Sequence, residues 1–504
     1  MSAGAATRLP DDVLADIQGF ITTGYGHLSY AAYLFVHFQE AGPARRWLAL
    51  MTPAITSAKP WPKTADGKKL KPMLACNIAF TADGLAALKL PTRVLCTFSV
   101  EFQEGMTRQH RSKILGDTEE SDPGNWEFGG TTHSPIHAVV ILHAVSAAAL
   151  ERACEAQRAL LAKTAGGAVE LAGTMQSGYR PDGDHEPFGF HDGVAQPSIA
   201  GISGDGVPTG EFILGYSNHY RIVPPTPAVP AEIDAEGVLP ALDNPYHAHA
   251  RLHDFGLNGS YVVYRKLQQD VVGFWQFMKH ETLRFHGKED AARMVWLAAR
   301  CVGRWPSGAP LTRAPLADDP RLRDLNDFFY RDDPDGLACP LGAHVRRTNP
   351  RDDLKPYPAA ESLSMSEAHR LLRRARVFGP TLVDPKDLAD ATSDACRTAL
   401  LSLAEDGRAR GIHFFCVNAS IRSQFEFVQQ TWCNNPRFGG LNDNKDPISA
   451  DNNRNDDPSS HMTIPAQPLR LRTSALPRFV TVKAGAYLFM PSLRALQFLA
   501  TLAT

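Results

Sequence analysis

Hydrophobic and polar positions along this chain alternate between two periods, and the same order of periods occurs in both halves. Residues 135–145 (PIHAVVILHAV) form an apolar run of strand length. The following segment, 146–166, is predicted as a helix, because Ala147, Leu150, Cys154 and Leu161 are spaced to share one face and the pattern stops at a glycine. Residues 168–176 then return to a strand pattern. In the second half, 411–418 (GIHFFCVN) is a predicted strand. Residues 419–432 form a predicted helix with Ile421, Phe425, Val428 and Trp432 on one side. A strand at 478–490 and a helix at 492–503 follow. Strand–helix–strand units in each half predict an α+β chain built from two related sheets with helices packed on them.

Two stretches interrupt the pattern. Residues 223–245 are rich in proline and read as a surface connection, which divides the chain into 1–222, the connection, and 246–504. Residues 441–468 are almost wholly polar and read as a long exposed loop, a candidate lid or an insertion. Over 504 residues, a net charge of −2 gives no electrostatic case for nucleic acid or an anionic membrane. The longest uncharged apolar run, 138–150, is too short to span a bilayer. Eight scattered cysteines include no CxxC pair and no CxxCH haem-attachment signature, and they suit reduced, buried thiols. The first twenty residues lack a basic segment followed by an apolar core, so the expectation is a cytoplasmic protein without a membrane span.

Chemistry concentrates in three segments. GFHDGVAQP, 189–197, sets Asp192 between Gly189 and Gly193, where a permissive backbone can bring one carboxylate close to another group. CPLGAHVRRTNPR, 339–351, places His344 beside Arg346, Arg347 and Arg351. A lone loop histidine is usually only a hydrogen-bonded polar residue. One histidine among several cations suits a ligand that carries both a metal and anionic groups, such as haem with its propionates. HRLLRRARVFGP, 369–380, carries arginines at 370, 373, 374 and 376 among apolar residues, so it is either a solvated basic face or a partly buried segment whose arginine meets an anion. A rival metal site is HAHARLHD, 247–254, whose histidines match no closed tetrahedral spacing. His133 and His137 are separated by Pro135 and read as strand packing.

In these segments the sequence resembles the dye-decolorizing peroxidases, in their longer form. GFHDG fits the family's GxxDG motif, CPLGAHVRRTNPR is similar to its proximal-histidine segment, and RLLRRARVFGP is similar to the segment carrying its distal arginine. The likeness continues through DIQGFITTGYGHLSYAAYLF, NGSYVVYRKLQQDV, NASIRSQFEFVQQTW and VKAGAYLFMPSLRAL. The resemblance implies duplicated ferredoxin-like domains with antiparallel sheets and peripheral helices, and a non-covalent b-type haem (iron protoporphyrin IX) in the C-terminal half. It implies hydrogen peroxide as oxidant, and dyes, phenols and other aromatic molecules as donors oxidised through a ferryl intermediate. It makes His344 the iron ligand, with Arg346, Arg347 and Gly193 against the cofactor, and Asp192 and Arg373 the catalytic pair. By position, Glu426 becomes the acceptor for the other ring N–H of His344. Arg374 and Arg376 crowd Arg373, and Val377 stands where the family commonly has proline. That crowding keeps open an alternative reading, a haem store, carrier or iron-releasing protein with little turnover.

Overall fold

A computed structural model describes residues 8–204, 206–242, 251–452 and 460–502. Eight antiparallel strands carry the architecture: β1 (Tyr30–Phe38), β2 (Leu74–Phe80), β3 (Ala138–Ala144), β4 (Gln176–Tyr179), β5 (Ser260–Gln269), β6 (Arg376–Phe378), β7 (Gly411–Asn418) and β8 (Val480–Met490). Their hydrogen-bonded order is β6-β4-β1-β3-β2-β8-β5-β7, and β7 returns to β6. The α+β class expected from the pattern is present. The two related sheets do not stay apart, however: they join edge to edge into a closed barrel. The seams are short, Phe80 opposite Phe489 on one side and Tyr179 opposite Val377 on the other. Closure leaves the barrel strands without a free edge.

Alternation along the strands separates an inside from an outside. Tyr33, Phe35, Val139, Ile141, Tyr264 and Phe415 point into the barrel and form one buried core. On the N-terminal half, Leu34, Val36, Ile78 and Val140 point outward, under α1 (Ala41–Met51), α2 (Ala147–Ala165) and the C-terminal helix Leu493–Thr501. Strands buried on both faces read as continuous apolar runs, which is why AVVILHA shows no polar face. In α2, Ser146 caps the start by accepting from the Ala149 N–H, and Gly166 ends the helix at φ +50°. Its packing face is Leu150, Cys154 and Leu161, while Ala147 sits exposed beside the cap.

The C-terminal half of the barrel is covered differently. Its outer face looks across a cavity at α3 (Val271–His286), α4 (Ala291–Val302) and the short α5 (His344–Thr348), which bring a third core around Phe274, Trp275 and Trp305. The helix expected over 419–432 forms with wide turns, π-helical at Arg422–Glu426 and Val428–Cys433. Such turns displace side chains from the regular spiral and recur at functional sites. Ile421, Phe425, Val428 and Trp432 are nevertheless all buried.

Both interruptions differ from expectation. Within 223–245, Ala228–Pro230 and Ala241–Leu242 flank Leu252–Asp254 in a small antiparallel sheet, and Val229 and Leu239 are buried against the first core. Pro230 sits at a strand end, where its missing N–H costs no ladder bond. In the polar stretch 441–468, Asn444, Asp446, Asn452, Met462 and Ile464 are buried. Polar side chains can turn inward when they satisfy one another and nearby backbone. Residues 453–459 lie outside the described residues. No described helix is long and apolar enough to cross a membrane.

Candidate active site

Strand alternation selects what faces the cavity. On the outer side, β5 contributes Arg265, Leu267 and Gln269, β7 contributes Ile412 and Phe414, and β8 contributes Val480 and Val482. A bulge between Val482 and Ala484 then swaps the faces of β8, so that Ala484, Ala486 and Leu488 point into the barrel. Just before β6, Leu372–Arg373 pairs with β7 in the same register as β6 itself, making 372–378 one alternating edge. Arg373 and Ala375 line the cavity, whereas Arg374 and Arg376 turn the other way. Arg374 donates to the Phe20 and Ile21 carbonyls, and Arg376 to those of Gly24, Tyr25 and Leu28. The crowding seen in the sequence is therefore divided between two faces. Of these three neighbours, only Arg373 faces the cavity.

Asp192 is held against Arg373. Their charged atoms are 3.1 Å apart. Gln196 accepts from the Arg373 N–H at 2.9 Å, and Arg370 donates to the Ala195 carbonyl at 3.0 Å, so the aspartate loop is fastened to the strand at three points. The loop needs its first glycine twice over. Gly189 has φ +101°, and a Cβ there would meet Leu388 at 2.5 Å. About a third of the Asp192 side chain is accessible, and that surface faces the cavity. Burial pushes its proton affinity up, but the Arg373 guanidinium, the Gly193 N–H, His344 and His191 outweigh this and hold the carboxyl below the ordinary carboxylate range. His191 is an unsuitable base. Its Nδ1 lies 2.8 Å from the Gly183 carbonyl, to which it can only donate, and its Nε2 lies 3.3 Å from Asp324.

His344 opens α5 on the other wall. Its Nδ1 lies 2.9 Å from Oδ2 and 3.1 Å from Oδ1 of Asp446, which is fully buried. Asp446 is oriented in turn by the Ile448 and Ser449 N–H groups. Burial raises the affinity of Asp446 for a proton, but His344 and Arg347 lower it further, keeping the carboxylate charged. With Nδ1–H given to a carboxylate, the Nε2 lone pair is free to ligate a metal.

Three expected cofactor contacts are corrected. Glu426 does not meet His344: its carboxylate accepts from Arg111 at 2.8 Å and Tyr487 at 2.7 Å, behind the cavity wall. Arg346 is buried against Asp333, Asp353 and the Cys339 carbonyl. Arg347 donates to the carbonyls of Trp432, Asn435 and Asn444, fixing the chain on which Asp446 sits. The helical turn points both arginines away from the side that His344 faces. The cations that do line the cavity are Arg265, Arg304, Arg370, Arg373 and Arg478. Arg265 is neutralised by a close ion pair with Asp117. Burial pushes Arg304 and Arg370 down to about 10, which leaves both charged at neutral pH. Gly193 lies on the cavity wall.

The enclosed space measures about 290 Å³ and is walled largely by Phe188, Leu267, Phe414, Phe425, Val428 and Ile448. Apolar walls, one oriented imidazole and several unneutralised cations are the donor set that a haem with two propionates requires, and these residues fit it. The rival site does not form among the described residues: His253 is 2.6 Å from Asp234, and Asp254 caps the Gly256 and Leu257 N–H groups. His247 and His249 lie outside the described residues, among which no three metal-binding side chains converge.

Comparison with known proteins points to the same family that the motifs resemble. Residues 16–181 match the family described as the DyP dimeric alpha+beta barrel domain. Over 95% of its length the chain is 28% identical to a dye-decolorizing peroxidase of Exidia glandulosa, covering 86% of that protein. It is also 28% identical to the multifunctional dye peroxidase DyP2 of an Amycolatopsis species, over 92% of this chain and 91% of the other. A dye-decolorizing peroxidase solved in complex with 2,6-dimethoxyphenol superposes with a TM-score of 0.71 at 26% identity, over 98% of this chain and 100% of that one. A DyP-type peroxidase of Anabaena sp. shares the fold, with a TM-score of 0.72 at 22% identity, over 98% of this chain and 95% of the other.

Proposed function

We propose that the chain is a member of the dye-decolorizing peroxidase family, to which its fold and its relatives point, that its cavity holds a b-type haem without covalent attachment, and that Asp192, Arg373 and His344 perform the family's reaction there. The protein is a peroxidase that spends hydrogen peroxide to oxidise dyes, phenols and other aromatic donors. Haem, when bound, supplies the iron redox chemistry that turns one peroxide into two oxidising equivalents. His344 would hold the iron through Nε2, with Asp446 raising the basicity of the ring through Nδ1. Arg304, Arg370 and Arg478, which line the cavity, would be the cations nearest the propionates.

The chain's own catalytic work is proton handling. Asp192 is ionised at working pH, so it can take a proton from one peroxide oxygen and return it to the other, which departs as water. Arg373, 3.1 Å from Asp192, keeps that carboxylate charged and faces the oxygen on which negative charge develops. Phe414, Leu267 and Ile412 exclude bulk water around the transfer. All eight cysteines are free thiols, seven of them buried, which suits work in a reducing cytoplasm. The observation that carries this reading is the arrangement of one cavity: an aspartate–arginine pair on the sheet side and a carboxylate-oriented histidine on the helix side. Its test is His344→Ala. The variant should fold yet retain little haem absorbance after purification, and an unchanged haem spectrum would rule His344 out as ligand.

A further inference from the structure

A second carboxylate lines the same cavity and takes no part in the scheme above. Glu186 begins the turn that ends in Asp192, and its side chain folds back inside that turn. Oε1 accepts from the Phe190 N–H at 3.0 Å, and Oε2 from the Phe188 N–H at 3.0 Å and the Gln269 side-chain amide at 2.7 Å. The Glu186 main chain closes the same turn through Phe190 and Gly189. Trp275 of α3 fixes it from behind by donating to the Phe188 carbonyl at 3.2 Å. Glu186 therefore ties the aspartate loop to strand β5 through Gln269.

Gln269 carries a further clue. Its Oε1 is buried and has no hydrogen-bond partner, an expense that native interiors rarely carry without a reason. Turned over, the same amide would present Oε1 to Glu186 and could accept an O–H from a neutral carboxyl. One residue can thus serve both charge states of the glutamate, by its N–H when Glu186 is ionised and by its oxygen when it is protonated. We propose that Glu186 is a positioning residue for Asp192, and that its protonation state, accommodated by rotation of the Gln269 amide, tunes how strongly Asp192 holds a proton. The role in turnover rests on the peroxidase reading. The coupling between the two carboxyls does not.

The electrostatics agree with the geometry. Burial raises Glu186 to about 7, against the lowering effect of Gln269 and the two loop N–H groups, and Asp192 raises it further by like-charge repulsion. Such coupling is reciprocal. The groups facing Glu186 are Asp192 from its own loop, the neutral Gln269 from the sheet, and apolar Phe274 and Trp275 of α3 against Phe188 and Phe190. The cavity cations are Arg304, Arg370, Arg373 and Arg478, with Arg265 of β5 paired to Asp117. Two carboxyls in one site with proton affinities pushed apart is the arrangement by which one stays a base while the other exchanges a proton near neutrality. Below its midpoint Glu186 is neutral and Asp192 stays ionised deeper into acid. Above it, the added charge strengthens Asp192 as a base.

The test is a pH titration of the haem-loaded full chain by difference infrared spectroscopy, following the carbonyl band of protonated carboxyl groups. A band titrating near neutrality should be lost in Glu186→Gln. It should move to lower pH in Asp192→Asn, which removes the like charge, and to higher pH in Gln269→Leu, which removes the amide donor. In single-turnover reactions with peroxide, Glu186→Gln should abolish a near-neutral inflection in rate and keep the acid limb. A near-neutral band that survives Glu186→Gln, or a midpoint unmoved by Asp192→Asn, overturns the proposal. If Glu186→Gln does not fold, the shifts in the other two variants decide. A protein that titrates as described but does not react with peroxide would instead sink the peroxidase reading and leave the coupling standing.

Discussion

Asp192 carries a sign that pH can read. Its folded-state proton affinity is depressed by Arg373 and the Gly193 N–H despite burial, so the carboxylate form persists above the folded value and is lost only as pH falls through it. The peroxide step should therefore hold through mild acid and fail below the ordinary aspartate range of ~3.9. Asp192→Asn should slow that step roughly 10²–10⁴-fold and flatten the acid limb. Arg373→Leu should cost about 2.7–4 kcal/mol of barrier and move the limb to higher pH, because the charge that depresses Asp192 is gone. Stopped-flow mixing with peroxide across pH, at equal haem content, separates the two. Asp446 makes the corresponding prediction on the other wall. Asp446→Asn should weaken the donation to the iron, lower haem affinity about 10–100-fold and raise the ferric–ferrous potential, read by spectroelectrochemistry. Asp192, Arg373 and His344 stand out in their sequence segments and the fold brings them to one cavity, whereas Asp446 does not stand out. It sits in a stretch so polar that burial was not legible. The available signal was Asp446-Pro447 followed by Ile448, an aspartate placed to accept the N–H groups two and three residues on. Glu426 was implied by its position in a family-like segment, but the π-turns and its bonds from Arg111 and Tyr487 direct it elsewhere.

At the scale of the element, the arginine-rich edge shows why spacing outweighs residue type. Read as a helix, 369–380 gathers its four arginines on one broad solvated face. Read as a strand, it sends Arg373 to the cavity and Arg374 and Arg376 to the carbonyls of residues 20–28. From the sequence the choice was between a solvated basic face and a partly buried segment, on the evidence of Leu371, Leu372, Val377 and Phe378, and the strand itself was not foreseen. Pairing with β7 decides between them, and pairing is a non-local property. Arg376 is thus a structural clasp between the halves. Arg376→Leu should leave three carbonyls without their donor and destabilise the fold by at least about 2 kcal/mol, measured by chemical denaturation, with far less effect on the peroxide step per folded molecule. The converse outcome, full stability with lost peroxide reactivity, would place Arg376 in the site.

For the molecule as a whole, strand–helix–strand units in each half were legible from periodicity, while closure of the two sheets into one barrel was not. The seams consist of Tyr179 with Val377 and Phe80 with Phe489, single pairs far apart in the chain. The shared core draws Tyr33 and Phe35 from one half and Tyr264 and Phe415 from the other. Neither half can bury its inner face alone, so calorimetry of the full chain should show one cooperative transition, and residues 1–222 expressed alone should not fold. Two resolved transitions would mean that the halves are independent. The same closure sets the site, since the N-terminal half sends the Asp192 loop across onto the C-terminal sheet opposite His344. That juxtaposition is the central claim, and one measurement addresses it most directly: mixing the haem-loaded protein and its Asp192→Asn variant with one equivalent of hydrogen peroxide while following the haem spectrum. An immediate spectral change in the parent, slowed at least about 100-fold in the variant, is the expected result. Equal rates in the two proteins, or no change in either, would contradict it.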